Sequence, residues 1–310
     1  MKKVLFATTA LVATAGVAAA DVTFGGYGRF GVMYSSAAGP NGIAQTFGDD
    51  GTGDSSLDIT SRFRLQIDAT AESDAGVTFG ARVRIEQEND EVNDAANSGT
   101  GINAPRFFAR SGGLEVGVGN IFGALEFMPG MYPIDLGLTG LQYEYTPYQF
   151  GADFYDSDGA GAAATNNAIE VMYSAGDLSV HVSASDGAND RIAAHVAYTW
   201  NGWTFAVGAQ DSNSPTDTEF AASVGGNFGP ATVSLAYADN GVNGDHVTLA
   251  ARFDVGAATN IEAYVSDADT YFGTPTQNTG YGIDFNHDLG GGTSIRGGVA
   301  KLFVGHTAAD

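Results

Sequence analysis

The chain has 310 residues, 13 Lys and Arg against 36 Asp and Glu, a formal net charge of -23 and no cysteine. So acidic a balance excludes nucleic acid as a partner and a polybasic grip on lipid head groups, and the missing cysteines exclude a disulfide framework or a thiolate metal site. A chain of this length accommodates two soluble domains or one large all-β domain.

The sequence opens MKKVLFATTALVATAGVAAADV, with Lys2 and Lys3 as a positive head, an apolar stretch from Val4 to Val17 and the small residues Ala18-Ala19-Ala20 before Asp21. That pattern predicts a secretory signal peptide over 1–20 and a mature chain over 21–310. Without the two lysines the mature charge is 11 minus 36, or -25. The protein is expected to be exported. No later apolar run is long enough for a spanning helix.

From Val22 onward the hydrophobic period is two. In LDITSRFRLQIDAT the odd positions Leu57, Ile59, Phe63, Leu65 and Ile67 are apolar, and the even positions Asp58, Thr60, Arg62, Arg64, Gln66 and Asp68 are polar. VTFGARVRIEQE repeats the pattern, with Val77, Phe79, Val83 and Ile85 against Thr78, Arg82, Arg84, Glu86 and Glu88. Such alternation gives a strand one apolar and one wet face. Fifteen segments are predicted: 22–34, 57–70, 77–88, 104–110, 114–121, 168–174, 178–186, 191–200, 203–211, 217–228, 231–239, 244–254, 258–266, 278–288 and 292–301.

Tight turns (ESDAG, SGG, AGD, NG, GP, GA and GGG) fall at every other junction, and the alternate junctions are mostly longer. Short and long connections in alternation describe an up-and-down meander with turns at one end and loops at the other, the asymmetry of transmembrane barrels. A soluble sandwich or propeller would put large side chains on its inner face. Here the face opposite the apolar one carries Arg, Glu, Asp, Thr, Gly and Ala, and suits a wet lumen. Aromatics such as Tyr34, Phe79, Tyr173, Tyr198, Trp200, Trp203, Phe228, Tyr237 and Phe253 share the apolar parity, often near segment ends, as interfacial girdles do.

The wet face raises an electrostatic question. Seven of the eleven basic residues of the mature chain are arginines before Ser111: Arg29, Arg62, Arg64, Arg82, Arg84, Arg106 and Arg110. With the ESDAG turn centred near Ser73, Arg62 is expected to oppose Arg84, and Arg64 to oppose Arg82. Opposed like charges cost a few tenths to about one kcal/mol per pair. Carboxylates across the lumen would offset that. The connection over 122–167 is far longer than ordinary loops and carries Glu126, Asp135, Glu144, Asp153, Asp156 and Asp158. Folded inward, it would set acids against the arginine wall and form a charged constriction. The alternative is a plugged barrel, its arginines bridged to Glu86, Glu88 and Asp68, that serves as an anchor or adhesin.

The stretch APRFFARSGGLEVGVGNIFGALEFMPGMYPIDLGLTGL resembles the general diffusion porins of the Rhodobacter type in alphaproteobacteria. The resemblance extends from VTFGGYGRFGVMY through SSLDITSRFRLQIDATAESDAGVTFGARVRI to DLGGGTSIRGGVA. It implies a bacterial outer-membrane homotrimer of sixteen-stranded barrels that passes small hydrophilic solutes and ions. It also implies an eyelet made by the loop over 122–167, with Glu126 and Asp135 facing Arg29, Arg62, Arg64, Arg82 and Arg84. The acidic loops predict a weak cation preference. One departure stands out: the family closes its barrel with a strand ending in Phe, whereas this sequence ends VGHTAAD. The native polypeptide is therefore expected to continue by roughly one strand of about nine residues.

Catalysis finds no support in the motifs. His181, His195, His246, His287 and His306 are scattered singly, without a His-x-x-x-His pair, and there is no Gly-x-Ser-x-Gly elbow. The acidic pieces FGDDGTGDSS and YDSDGAG offer Asp49, Asp50, Asp54, Asp156 and Asp158 as candidate weak calcium ligands, although neither fits an EF-hand loop.

Overall fold

The computed structural model describes residues 21–35, 56–89, 101–133, 145–148, 168–186, 190–212, 218–271, 274–275 and 279–301. Fifteen long antiparallel strands form one sheet in chain order. They are β1 (Asp21–Ser35), β2 (Ser56–Glu72), β3 (Thr78–Asn89), β4 (Arg106–Ser111), β5 (Leu114–Gly119), β6 (Ala168–Ala175), β7 (Leu178–Ser185) and β8 (Arg191–Trp200). There follow β9 (Trp203–Ser212), β10 (Glu219–Phe228), β11 (Ala231–Asp239), β12 (Asp245–Asp254), β13 (Thr259–Ala268), β14 (Gly280–Gly290) and β15 (Thr293–Lys301). Each strand pairs with its neighbours in sequence, so the sheet is an uninterrupted meander. Two departures are small. Gly101–Ile102 adds a short ladder to β3, and Thr270–Tyr271 pairs with Thr274–Pro275 apart from the main sheet. Among the described residues there is no α-helix.

The turn chemistry explains the short end. Asn201 and Gly202 have φ of 50° and 78°, and Gly112 and Gly113 have 58° and 85°. Two positive values in a row characterise the type I′ turn, whose twist matches that of the flanking strands. The ESDAG turn is wider than the sequence suggests. Ser73 N–H donates to Val77 O at 2.9 Å and Gly76 N–H to Ser73 O at 2.9 Å, so the first ladder pair is Glu72 with Thr78.

That width corrects the expected pairing of β2 with β3. The hairpin turns about Ala75 rather than Ser73, and opposite partners shift by four residues. Arg62 faces Glu88, Arg64 faces Glu86, Arg84 faces Gln66 and Arg82 faces Asp68. Across this hairpin no arginine opposes another. Like-charged pairs lie on either side of it, where Arg29 faces Arg62 across β1 and β2 and Arg82 faces Arg106 across β3 and β4.

Burial is inverted relative to a soluble protein. Glu86, Glu170, His181, Ser183, His195, Gln210, His246, Thr248 and Glu262 are buried, while Phe30 is 91% exposed, Ile59 72% and Phe63 57%. Arg62 and Arg64 share the inward face with Glu86, and Phe63, between them in sequence, points out. Exposed Tyr173, Tyr198, Trp200, Phe228 and Phe253 lie near the turn end, and Tyr34, Phe220, Tyr237 and Tyr281 near the loop end. These are two aromatic bands separated by aliphatic residues, which is how a barrel meets the two interfaces of a bilayer.

Among the described residues β1 pairs with β2 alone and β15 with β14 alone. The stretch after Lys301, where a closing strand is expected, and the expected signal peptide both lie outside the described residues.

Leu249 is 49% exposed at the middle of β12. Leu249→Arg should cost about 2–4 kcal/mol in a bilayer, the value for a basic residue near midplane, and Leu249→Ala much less. Folding equilibria in lipid vesicles check this, and an Arg variant as stable as the Ala variant would mean that this face does not meet lipid.

Candidate functional site

The inward face of β1 to β3 is a wall of guanidinium groups held by their own strands' acids. Glu86, 4% exposed, accepts from Arg64 Nε and lies 3.6 Å from Arg62 Nε. Arg62 also donates to the Tyr27 hydroxyl at 3.4 Å, and Arg64 lies 5.4 Å from the centre of the Tyr27 ring. A second chain runs beside it. Arg82 Nε donates to Asp68 at 2.6 Å, Gln66 Nε2 donates to the other Asp68 oxygen at 2.6 Å, and Arg84 Nε donates to Gln66 Oε1 at 3.0 Å. Glu86 sits beside the facing pair of Arg29 and Arg62, and Asp68 holds Arg82, which faces Arg106, so a carboxylate offsets each direct repulsion.

A third cluster stands where the chain leaves β5. Arg106 is buried and donates to Glu170 at 2.6 Å and to Glu115 at 2.6 Å. Its guanidinium lies 4.4 Å from the centre of the Phe122 ring. The other Glu170 oxygen accepts from Phe122 N–H at 3.0 Å and meets His181 Nε2 at 3.0 Å. Glu170 thus joins a cation, a histidine and the backbone of the incoming segment. Gly117 makes this possible, because a Cβ there would fall 2.4 Å from Glu170 Oε1 and 2.9 Å from Arg106 Nη2.

From Ile121 the chain lies against the inward face of the opposite wall. Ala124, Leu125, Met128 and Met131 are buried against Ala193 and Ala197 of β8, Ala206 of β9, Ala221 of β10 and Ala236 and Ala238 of β11. Small side chains on alternate positions of these strands leave the room the segment fills. Polar ties supplement the packing. Ala124 N–H donates to Ser183 Oγ at 2.9 Å, its carbonyl meets His195 Nδ1, and Ser223 Oγ donates to Pro129 O. Gly130, with φ of +89°, passes so close to Ser223 that a Cβ would lie 2.5 Å from it.

Further along, Tyr148 donates to Glu219 at 3.2 Å and accepts from Gln210 at 2.8 Å, and Asn240 donates to Pro147 O at 3.0 Å. Burial, and then the Glu219 charge, hold the Tyr148 phenol well above its usual range, so it stays a donor in alkaline conditions. With Arg82 lying 5.9 Å from the centre of the Phe122 ring and Tyr145 against Tyr264 at 6.1 Å, the segment reaches from β3 to β13, which requires the sheet to curl around it.

The structure brings Arg29, Arg62, Arg64, Arg82 and Arg84 together on one wall. Glu126 is buried at 5% exposure in the inward segment, and its charge acts on Tyr148. Asp135 lies outside the described residues, as do Asp49, Asp50, Asp54, Asp156 and Asp158, so the candidate calcium ligands do too. Among the described residues, Glu86 and Asp68 are acids that directly meet the arginine wall. Sequence reasoning passed over Arg106, Glu170 and the alanines of β8 to β11. The signal for the alanines was present, as small residues recurring at every second wet position.

An apolar exterior, a charged interior and a segment folded into it define a membrane-spanning β-barrel channel of the bacterial outer membrane. Residues 7–304 match the family model described as Gram-negative porin. The porin of Fuscovulum blasticum is 30% identical over 94% of this chain and 98% of its own, and that of Rhodobacter capsulatus is 28% identical over 90% and 94%. A triple mutant of the Rhodopseudomonas blastica porin superposes with a TM-score of 0.73 at 26% identity, covering 92% of this chain and 96% of that one. A further mutant of the same porin gives 0.72 at 27% identity. The chain belongs to the Gram-negative porin family.

Glu86→Gln should destabilise the barrel by roughly 1–3 kcal/mol, the cost of leaving charge-assisted partners unmatched. In an Arg64→Met background the same change should cost less. A double-mutant cycle on unfolding in detergent measures the coupling, and additive effects would show that the pair contributes nothing jointly.

Proposed function

We propose that the narrowest part of the channel lies between the guanidinium wall (Arg29, Arg62, Arg64, Arg82 and Arg84) and the segment over 122–167, with Glu126 and Asp135 among its acids. The observation that carries this reading is the clamping of the segment to the alanine face of β8 to β11, with the arginines of β1 and β2 on another wall and Arg82 beside the segment's start at Phe122. Charged walls of opposite sign sort solutes by charge and dipole rather than by a dedicated binding pocket. The channel passes small hydrophilic solutes and ions passively and has no catalytic step.

The mature chain carries 11 basic and 36 acidic residues, which raises the local cation concentration at the mouths. Glu86 and Asp68 neutralise part of the arginine wall, and the net preference is weakly for cations. The protein acts as a homotrimer after removal of residues 1–20. The trimer reading is supported by the resemblance and by the outward face of β1 and β2, where Phe24 is 70% exposed, Phe30 91% and Ile59 72%. That is an apolar surface neighbouring copies would cover.

Stepwise openings in planar bilayers test the channel itself, and silence would favour a closed anchor. Reversal potentials in a salt gradient should show a cation preference that fades as salt shortens the Debye length to about 3 Å near 1 M. An Arg62→Gln, Arg64→Gln double variant should strengthen it. Strong anion selectivity in the wild type would overturn the charge assignment.

A further inference from the structure

The inward segment presents aromatic rings to water, which a passage for hydrophilic solutes does not need. Phe127 is 38% exposed and Tyr132 41%. The rings of Phe122 and Phe127 lie tilted with centres 4.9 Å apart, and Tyr132 continues the row 6.4 Å beyond Phe127. On the short-turn side of this row a cavity of about 720 Å³ opens between the segment and β3 to β8. Phe122, Phe127 and Pro129 line it from the segment, and Met172, Arg110 and Glu115 from the strands. Its size falls in the range of small-molecule pockets, which pair apolar walls with a few polar anchors.

The two charged groups in this cavity are not equivalent. Glu115 is engaged by Arg106 at 2.6 Å. Arg110 is exposed, lies 5.4 Å from the centre of the Phe108 ring, and forms no ion pair among the described residues. Thr78 faces it across β3 and β4, with Glu72 one strand beyond, and Glu115 faces it across β4 and β5 but turns its carboxylate to Arg106. His181 and His195 also border the cavity, but their rings are committed to Glu170 and to the Ala124 carbonyl. The available charge is therefore positive, and it lies in the same cavity as an aromatic surface.

We propose that this cavity is a binding subsite for aromatic carboxylates, with the ring against Phe122 and Phe127 and the carboxylate on the Arg110 guanidinium. An aromatic cation does not fit, since among the described residues the one carboxylate lining the cavity, Glu115, already holds Arg106. A simple carboxylate meets Arg110 but leaves the rings in water. The subsite rests on the channel reading, because solute enters it from the lumen on the turn side.

Phenylacetate is the probe, with acetate and benzylammonium as controls. Added to the turn side of single channels of the full-length protein, phenylacetate should reduce the current at roughly ten-fold lower concentration than acetate, while benzylammonium should not block there. Arg110→Gln should raise the half-blocking concentration by roughly ten-fold, as expected for loss of one charge-assisted hydrogen bond, and Phe127→Ala should raise it too. Saturation-transfer NMR from detergent-solubilised protein to the phenylacetate ring protons reports binding independently of current, on variants whose strand content circular dichroism confirms. Equal block by phenylacetate and acetate, or unchanged block and transfer in Arg110→Gln, overturns the subsite. A wild type that shows transfer but no current steps counts against the channel reading and not against the subsite.

Discussion

Within hydrocarbon no water is available to a backbone N–H or C=O, so a spanning sheet must pair its strands and send alternate side chains to opposite solvents. Everything else in this molecule depends on that alternation. It places Phe63 in lipid and Arg62 and Arg64 on its other side, and a slip of one residue would exchange them. The cost of three or four arginines in hydrocarbon exceeds what any local contact returns, so partition fixes the face each residue takes, while the turn fixes which residues pair. Burial in this sheet accordingly runs opposite to that of a soluble protein.

A wall rich in guanidinium groups survives because its counter-charges come from the same strands. Glu86 serves two arginines, and the row from Arg84 through Gln66 and Asp68 to Arg82 shares protons and lone pairs without leaving a donor facing a donor. These contacts are partly wet, and each is worth less than a buried pair. Their shared effect is to keep long side chains extended in fixed positions along the lumen wall.

The opposite wall has a different task. The alanines of β8 to β11 are too small to fill the lumen, and their size admits Leu125, Met128 and Met131. Arg106 and Glu170 tie down the entry of the segment, and Tyr148 and Asn240 hold it where the described chain resumes. A pore of this kind has one packed side and one charged side. The inward segment also carries a second surface, the ring row from Phe122 to Tyr132.

The period-two pattern determined the class of fold, the number of long strands and the face each side chain takes, because partition between lipid and water acts residue by residue and needs no partner. Turn residues likewise marked the short end. The sequence did not determine which residues oppose one another. The partners of Arg62 and Arg64 depended on the width of one turn, and a shift of its centre from Ser73 to Ala75 exchanged arginine for glutamate across the ladder. The sequence pointed to an inward fold for the long connection but not to the strands it meets. The meeting of Leu125 with alanines from four strands, and of Phe122 with Arg106 and Glu170, arises only when the sheet curls and brings residues distant in sequence within contact. Side-chain partition is local and legible in the chain, whereas packing across a lumen is settled by tertiary structure alone.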